Sequence, residues 1–174
     1  MKNVVLIGFM GCGKTAVGHI LSKKLKLQVL DTDKIIVRDE KKEIRDVFDQ
    51  RGEDYFRECE KRAVQTAAAS QGVIATGGGV PLYAENILAL KESGIVYYLD
   101  TVFEILYGRI VGDVGRPLVL GNGKEELEAL YEQRRTFYEQ GCDYRIECGN
   151  SDANAIAEMI MKIHISSKQS FELI

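Results

Sequence analysis

Proline is scarce in this chain. The sequence has two prolines and 17 glycines in 174 residues, whereas average usage would give about nine prolines and about 12 glycines. Collagen-like and proline-rich disordered proteins are therefore excluded, and 45% hydrophobic with 28% charged residues is typical of a globular protein. Excess glycine without proline indicates loops in which the backbone approaches another group closely. The length predicts a single domain over residues 1–174.

Patterns for metal binding and disulfide formation are also missing. The four cysteines show no CxxC spacing, and histidine occurs only twice. A zinc site or a disulfide framework is therefore not expected, and reduced thiols favour a cytoplasmic protein. The cysteines are Cys12, Cys59, Cys142 and Cys148.

Neither a long apolar segment nor an excess of positive charge is present. No run approaches the roughly 18 apolar residues that a membrane-spanning helix needs, so we expect no membrane partner. The net charge of −3 and the pI of about 5.5 give no reason to expect nucleic acid as a partner. The apolar residues 4–7 lead directly into a glycine-rich loop without a cleavage site, which favours a buried strand over a signal peptide.

Short apolar runs alternate with helical periodicity along the chain. This alternation predicts βαβ units, and therefore an α/β fold in which helices cover both faces of a five-stranded parallel sheet in three layers. The predicted strands are residues 4–7, 28–30, 72–75, 95–99 and 144–148. The predicted helices are residues 16–25, 44–70 with a break near Gly52, 84–92, 102–110, 124–140 and 153–165. We expect the tail after residue 166 to fray.

A phosphate-binding motif follows the first predicted strand. Residues 8–15 match GxxxxGK followed by Thr, and glycine at the tight positions lets consecutive N–H groups surround a phosphate at a helix N-terminus. Lys14 is expected to contact the β- and γ-phosphates, and Thr15 to offer its hydroxyl to Mg²⁺. The structural alternative is a glycine turn beside a solvated lysine. The strand before the motif and the helix after it favour nucleoside-triphosphate binding.

Two carboxylates, Asp31 and Asp33, follow the second predicted strand. Ligands of open α/β sheets bind beyond the carboxyl ends of the strands. If the segment is extended, residues two apart point the same way, so both carboxylates would face one crevice. One could then hold the Mg²⁺ shell and the other could orient a hydroxyl or take its proton. Helix capping is the alternative role for these residues.

The third predicted strand ends in Gly77-Gly78-Gly79. Three consecutive glycines exceed what a tight turn needs and fit a backbone that offers N–H donors to a bound ligand. A simple turn is the alternative.

Arginines form a second group of candidates. The apolar stripe of the helix at residues 124–140 places Arg134 on the inward face, where a guanidinium needs an internal carboxylate or a substrate carboxylate as its partner. Arg135 turns outward by the same spacing. Arg57 precedes Glu60 by three residues, which predicts either a helical ion pair or an arginine oriented to bind an anion.

The glycine-rich residues 111–124 contain Arg116 before Pro117. A loop of this kind is typical of a lid that brings one arginine onto a transferring phosphate, and an ordinary surface loop is the alternative. Arg109, just before this segment, could stack on an adenine or complement the end of its helix.

In this order and spacing, the motifs resemble the shikimate kinase family over about the first 148 residues. The matching segments are residues 8–15, Asp31-Thr32-Asp33, Gly52-Glu53 with Phe56-Arg57 and Glu60, the triple glycine, Arg116-Pro117-Leu118, and Arg134 four before Tyr138. The resemblance implies a P-loop fold of the nucleoside-monophosphate-kinase type. It also implies transfer of the γ-phosphoryl group of ATP to the 3-hydroxyl of shikimate, in aromatic amino-acid biosynthesis. We expect a monomer with Mg²⁺ as cofactor, a phosphate loop at 8–15, a substrate-binding region at 31–61 and a lid at 111–124.

The resemblance implies a role for each matching residue. The catalytic residues would be Lys14, Asp33 and Arg116. ATP would be bound by Gly11, Cys12, Gly13, Lys14, Thr15, Ala16, Arg109 and Arg116. Shikimate would be bound by Asp33, Arg57, Gly78, Gly79 and Arg134. Mg²⁺ would be held by Thr15 and, through water, by Asp31. Phe48 and Phe56 would form the wall of the pocket.

Two departures from the family pattern leave the predicted phosphoryl transfer unchanged. Cys12 stands where the family usually has serine or alanine and brings a thiol close to the phosphates, which predicts sensitivity to oxidation. Gly141-Cys142-Asp143 replaces the usual alanine-aspartate.

Two other functions stay open: a kinase for another small alcohol, such as gluconate or a nucleotide, and a nucleotide-binding regulator. Residues 49–52 match the DxxG pattern of GTPases, but the chain has no Asn-Lys-x-Asp guanine motif.

Overall fold

Five parallel strands form the central sheet. They are β1 (Asn3–Ile7), β2 (Gln28–Asp31), β3 (Gly72–Ala75), β4 (Gly94–Asp100) and β5 (Tyr144–Glu147). Their order across the sheet is β2-β3-β1-β4-β5, and each neighbouring pair is parallel. The predicted five-stranded parallel sheet is confirmed. The structure is a computed structural model that describes residues 2–111, 119 and 121–171, with side chains up to residue 166.

The central strand β1 is buried on both faces. Four successive residues, Val4 to Ile7, have no exposed surface, and successive side chains of a strand point to opposite faces. In the register of the sheet, Val5 pairs with Ile74 of β3 and with Val96 of β4. Helices therefore cover both faces, and the continuous apolar run is typical of a central parallel strand.

Seven α-helices lie in the described part of the chain. They are α1 (Lys14–Leu25), α2 (Thr32–Glu40), α3 (Ile44–Ala68), α4 (Ala84–Ser93), α5 (Phe103–Ile110), α6 (Lys124–Gly141) and α7 (Ala153–Phe171), with a 3₁₀ turn at Val80–Leu82. α1 packs against α7, and α3 packs against α2 and α4. Together with the buried faces of β1, these two groups of helices give the predicted three layers.

Helix α2 was not predicted from the sequence. Its residues include the β-branched run Ile35-Ile36-Val37, which is poor in helix propensity. The helix forms because Asp31 caps its N-terminus by accepting from the backbone N–H groups of Asp33 and Lys34. The side chains of Ile35 and Ile36 are buried in the core. Capping and tertiary burial therefore outweigh propensity here.

The break within α3 and the end of α7 can be compared with the sequence predictions. Helix α3 has a non-helical residue at Gly52, with φ 79° and ψ 176°, so the predicted break near Gly52 is confirmed. Helix α7 continues to Phe171, five residues beyond the point where fraying was expected.

No helix among residues 2–111 and 121–171 is long and apolar enough to cross a membrane. The predicted lid falls mostly on residues 112–118 and 120, so Arg116 lies outside the described residues.

Candidate active site

The phosphate loop joins β1 to α1. Its glycines Gly8, Gly11 and Gly13 have φ values of 144°, 82° and 95°, a region that L side chains rarely adopt. A β-carbon on Gly8 would lie 2.9 Å from Cys12 Sγ and 3.0 Å from the carbonyl oxygen of Leu99. The loop can therefore close this tightly only with glycine, and α1 begins immediately after Gly13.

Lys14 is folded back over this loop. Its Nζ donates to the carbonyl oxygens of Gly8 at 2.7 Å and Phe9 at 3.0 Å, and lies 3.6 Å from Cys12 Sγ. The ammonium is thus held by neutral acceptors at the loop. A phosphate would offer it stronger, charge-assisted hydrogen bonds.

Thr15 and Asp31 connect α1 to the end of β2. The hydroxyl of Thr15 donates to Asp31 Oδ2 at 3.4 Å. The other oxygen, Oδ1, accepts from the N–H groups of Asp33 and Lys34 at 3.1 and 3.3 Å. Asp31 therefore caps α2, as the capping alternative predicted, and its Oδ2 also faces the phosphate loop; a role toward Mg²⁺ stays a prediction.

The donor set around Thr15 fits Mg²⁺. Among the described residues, no cluster of three or more His, Cys, Asp and Glu side chains could hold a metal ion. Mg²⁺ does not need such a cluster, because it usually binds one or two carboxylates together with substrate phosphates and water. The Thr15 hydroxyl and the Oδ2 of Asp31 meet that requirement.

Asp33 faces the glycine turn from the first turn of α2. A β-carbon on Gly77 would lie 2.5 Å from Asp33 Oδ1 and 3.3 Å from Glu60 Oε1, so the two carboxylates meet at this glycine. The segment across Asp31 and Asp33 is not extended, because α2 begins at Thr32, so the condition for two parallel carboxylates is not met. Both carboxylates nevertheless lie at the carboxyl end of β2.

Arg57 is oriented by two carboxylates. Its Nη1 donates to Glu60 Oε2 at 2.5 Å, and its Nη2 donates to Glu53 Oε1 at 2.7 Å. Burial raises the pKa of Glu60, the guanidinium of Arg57 opposes that shift, and the Asp33 carboxylate adds to it. A β-carbon on Gly79 would lie 2.5 Å from Arg57 Nη1. The ion pair predicted from the sequence is confirmed and holds the arginine against the glycine turn; binding of an anion by Arg57 stays a prediction.

Arg134 approaches the same turn from α6. Its side chain is buried, with 7% exposure, and Arg135 forms a partly exposed pair with Glu139 at 3.0 Å, so the predicted orientations are confirmed. A β-carbon on Gly78 would lie 3.8 Å from Arg134 Nη1. The Nε of Arg134 is buried without a hydrogen-bond partner in the described part of the chain. A buried donor of this kind calls for an acceptor from a ligand.

The glycine turn itself is anchored at two points. The N–H of Gly77 donates to the Thr32 hydroxyl at 2.8 Å, and the Tyr138 hydroxyl donates to the carbonyl of Gly78 at 2.8 Å. The turn is therefore a fixed part of the site, although it consists of the most flexible residue type.

Comparison with known proteins identifies the family. The family model described as shikimate kinase matches residues 10–164. A shikimate kinase from Persephonella marina is 41% identical over 165 residues, which cover 94% of this chain and 99% of the relative. The chain belongs to the shikimate kinase family. It is accordingly a kinase, a phosphotransferase that acts on an alcohol.

Solved structures agree with this membership. A shikimate kinase from Acinetobacter baumannii in complex with shikimate has a TM-score of 0.91 and 35% identity, and the alignment covers 97% of this chain and 95% of the other. A deoxyadenosine kinase from M. mycoides with bound dATP has a TM-score of 0.62 at 18% identity and covers 92% of this chain and 97% of the other. The second likeness concerns the fold alone and agrees with the predicted P-loop kinase architecture.

Other residues implied by the family resemblance lie around this centre. Arg109 is exposed beside the phosphate loop, and its Nη1 donates to the carbonyl of Gly11 at 3.2 Å. Ala16 is exposed in the first turn of α1. The rings of Phe48 and Phe56 are 4.4 Å apart between centroids.

The thiol of Cys12 is buried, with 1% exposure. Cys12 is part of the phosphate loop, and burial restricts the access of oxidants to its thiol, so the predicted sensitivity to oxidation is weakened.

Sequence reasoning did not find the anchors of the glycine turn. In the sequence, Thr32 belongs to a segment typical of a helix start and Tyr138 to the apolar stripe of the helix at 124–140, and neither pattern indicates a contact with the glycine turn. A polar residue in an otherwise apolar helical stripe is the signal that singled out Arg134. The tyrosine hydroxyl gives no such signal, because its ring is apolar.

Proposed function

We propose that this protein transfers the γ-phosphoryl group of ATP to the 3-hydroxyl of shikimate, giving shikimate 3-phosphate and ADP. One observation carries the proposal: Arg57 of α3 and Arg134 of α6 converge on the backbone of Gly78 and Gly79. Two arginines at one glycine turn fit a small acceptor that has a carboxylate. The Acinetobacter relative, whose structure contains shikimate, supports the choice of acceptor.

The arginines hold the acceptor carboxylate in this proposal. Arg134 is buried with Nε lacking a partner among the described residues, and a planar guanidinium can bind a carboxylate through two parallel hydrogen bonds. Arg57 is already fixed by Glu60 and Glu53, so it loses little conformational freedom when the acceptor binds.

Asp33 acts on the acceptor hydroxyl. Its carboxylate reaches the glycine turn from the side of α2. From there it orients the attacking hydroxyl and accepts its proton as the oxygen–phosphorus bond forms. The N–H groups of Gly78 and Gly79 serve as additional donors to the acceptor.

The phosphate loop holds ATP in this proposal. Backbone N–H groups of residues 11–16 surround the phosphates, and Lys14 and Arg116 stabilise the charge that develops on the transferring group. Arg109 covers the adenine. Thr15 and, through water, Asp31 would hold Mg²⁺, which would neutralise phosphate charge when bound.

The test is ADP release measured against a panel of acceptors. The purified protein is incubated with ATP and Mg²⁺ and with shikimate, gluconate or a nucleoside monophosphate. We expect release that depends on shikimate, with the other acceptors at background. Equal rates with gluconate or a nucleotide would contradict the proposed acceptor, and ATP binding without acceptor-dependent release would indicate a regulator.

Cellular role and assembly are part of the same proposal. We propose a monomeric cytoplasmic enzyme of aromatic amino-acid biosynthesis. Growth of a shikimate-kinase-deficient bacterium without aromatic amino acids tests the pathway. Analytical ultracentrifugation tests the monomer, for which a mass near 19.5 kDa is expected.

A further inference from the structure

One hydroxyl group holds the middle of the glycine turn. The Oη of Tyr138 donates to the carbonyl oxygen of Gly78 at 2.8 Å. At the start of the same turn, the N–H of Gly77 is bonded to Thr32. The peptide between Gly78 and Gly79 is therefore fixed through its carbonyl by a side chain from another element of the fold.

Fixing this carbonyl also fixes an N–H group. The carbonyl of Gly78 and the N–H of Gly79 belong to one planar trans peptide and point in opposite directions. Because the carbonyl points to Tyr138, the N–H of Gly79 points away from α6. Backbone hydrogen bonds from the N–H of Val80 to the carbonyl of Gly77 and from the N–H of Leu82 to the carbonyl of Gly79 close the turn, but neither involves the Gly78–Gly79 peptide. A peptide between two glycines has little steric resistance to rotation, so the hydroxyl is the side-chain contact that selects its direction.

Tyr138 is itself held rigidly. Its side chain is fully buried, and its ring packs against Tyr98 with the centroids 5.4 Å apart. Burial raises the pKa of Tyr138, so the hydroxyl stays protonated as a donor. Tyr138 also follows Arg134 by one helical turn, and Arg134 Nη1 borders Gly78 from the same helix. One helix thus presents the carboxylate-binding arginine and the anchor of the turn together.

We infer that Tyr138 is a positioning residue for the acceptor, because its hydroxyl sets the Gly78–Gly79 peptide so that the N–H of Gly79 faces the bound alcohol. This inference rests on the proposed function for the identity of the acceptor. It adds a residue that touches neither the acceptor nor ATP to those that determine acceptor affinity.

The variant Tyr138→Phe tests this role, because it removes the hydroxyl and keeps the ring. The loss of the hydrogen bond to Gly78, together with the side-chain interaction with Arg134, should raise the KM for shikimate about 3- to 10-fold, with the KM for ATP within about twofold of wild type. The matched control is Tyr98→Phe. Tyr98 is equally buried and packs against Tyr138, but its hydroxyl donates to Asp100 at 2.9 Å, outside the turn. The control should leave both KM values near wild type, and its Tm should change about as much as that of Tyr138→Phe.

A second measurement follows the turn without catalysis. In ¹⁵N-labelled free protein, the amide of Gly79 should show exchange broadening in Tyr138→Phe and not in Tyr98→Phe. Equal increases of the shikimate KM in both variants, or an unchanged KM in Tyr138→Phe, would overturn the positioning role. If wild-type protein releases no ADP with shikimate while the broadening is confined to Tyr138→Phe, the proposed acceptor fails and the anchoring role stands.

Discussion

Lys14 and Arg57 are both cations of the site, but different groups hold them. Lys14 donates to two backbone carbonyls, whereas Arg57 is bonded to two carboxylates. Neutral acceptors compete weakly with a phosphate, so Lys14 is free to transfer its hydrogen bonds to the nucleotide. Arg57 is held in place by these two carboxylates, so it loses little conformational freedom when it binds an anion.

The first prediction concerns Lys14→Ala. Removing the ammonium removes stabilisation of the charge on the transferring phosphoryl group, and kcat should fall at least about 100-fold. The control is Lys24→Ala on the same helix, since Lys24 forms only a partly exposed pair with Glu158. It should retain wild-type kcat in the coupled ADP-release assay. A near-normal kcat for Lys14→Ala would contradict the role of the phosphate loop.

The second prediction compares two adjacent arginines of α6. Arg134→Ala should raise the KM for shikimate, because the contact with the carboxylate is present in both the ground state and the transition state. The loss of a buried hydrogen bond to a charged group should raise this KM about 10- to 100-fold. Arg135→Ala removes a partly exposed surface pair and should leave steady-state kinetics unchanged. If Arg134→Ala weakened only ATP binding, the assignment to the acceptor would be wrong.

Single residues differ in how far the sequence alone could predict their roles. The inward orientation of Arg134 follows from helical spacing, because local periodicity determines the face of a helix. The hydrogen bond from Tyr138 to Gly78 joins residues 60 positions apart. No local rule predicts such a contact, because it depends on how α6 packs against the end of β3.

At the scale of elements, the short helix α2 decides the geometry of the two aspartates. The capping residue Asp31 and the helical residue Asp33 share one turn of chain but face different groups, the phosphate loop and the glycine turn. The sequence identified both carboxylates but not this division between them. The β-branched core residues of α2 obscured the helical pattern, and the helix becomes stable only when they are buried.

The third prediction contrasts two glycines within helices. A β-carbon at Gly52 or Gly108 would have no neighbour within 4 Å in the described part of the chain, and only Gly52 has a positive φ, 79°. Gly108→Ala should raise the free energy of unfolding by about 0.5–1 kcal/mol, because alanine is favoured in a helix. Gly52→Ala should lower it by about 1–3 kcal/mol through backbone strain. Urea unfolding followed by circular dichroism measures both, and changes of the same sign would refute the strain at Gly52.

For the whole molecule, the number of strands follows from the sequence but their order does not. Each strand is a local apolar run that the sequence shows directly. The order β2-β3-β1-β4-β5 depends instead on how the helical connections place each strand beside the others. The central position of β1 brings the phosphate loop beside the glycine turn of β3. The two motifs are about 70 residues apart in the chain, so their proximity could not be predicted from the sequence alone.

The fourth prediction concerns stability at alkaline pH. Burial raises the pKa of Cys148 from 9.0 to about 12, and it also raises the pKa of Tyr97, Tyr98 and Tyr138. Above about pH 9 for the cysteine and about pH 10 for the tyrosines, the unfolded chain therefore loses these protons before the folded protein does. The free energy of unfolding should then fall as pH rises, by up to about 1.4 kcal/mol per pH unit for each group.

Urea unfolding between pH 8 and pH 10.5 measures this slope. Cys148→Ala should show a shallower decline than wild type above pH 9, whatever its absolute stability. A wild-type free energy of unfolding that stays constant or rises over this range would show that these groups titrate alike in both states.

The hydrogen bonds between β1 and β3 have one more consequence. The phosphate loop leaves β1, the glycine turn leaves β3, and the backbone N–H and the hydroxyl of Thr76 both bind the carbonyl of Leu6 where these strands end. Neighbouring strands lie about 4.8 Å apart. The sheet therefore fixes the distance between the phosphate loop and the glycine turn. The floor of the crevice therefore cannot widen without breaking hydrogen bonds at the centre of the sheet.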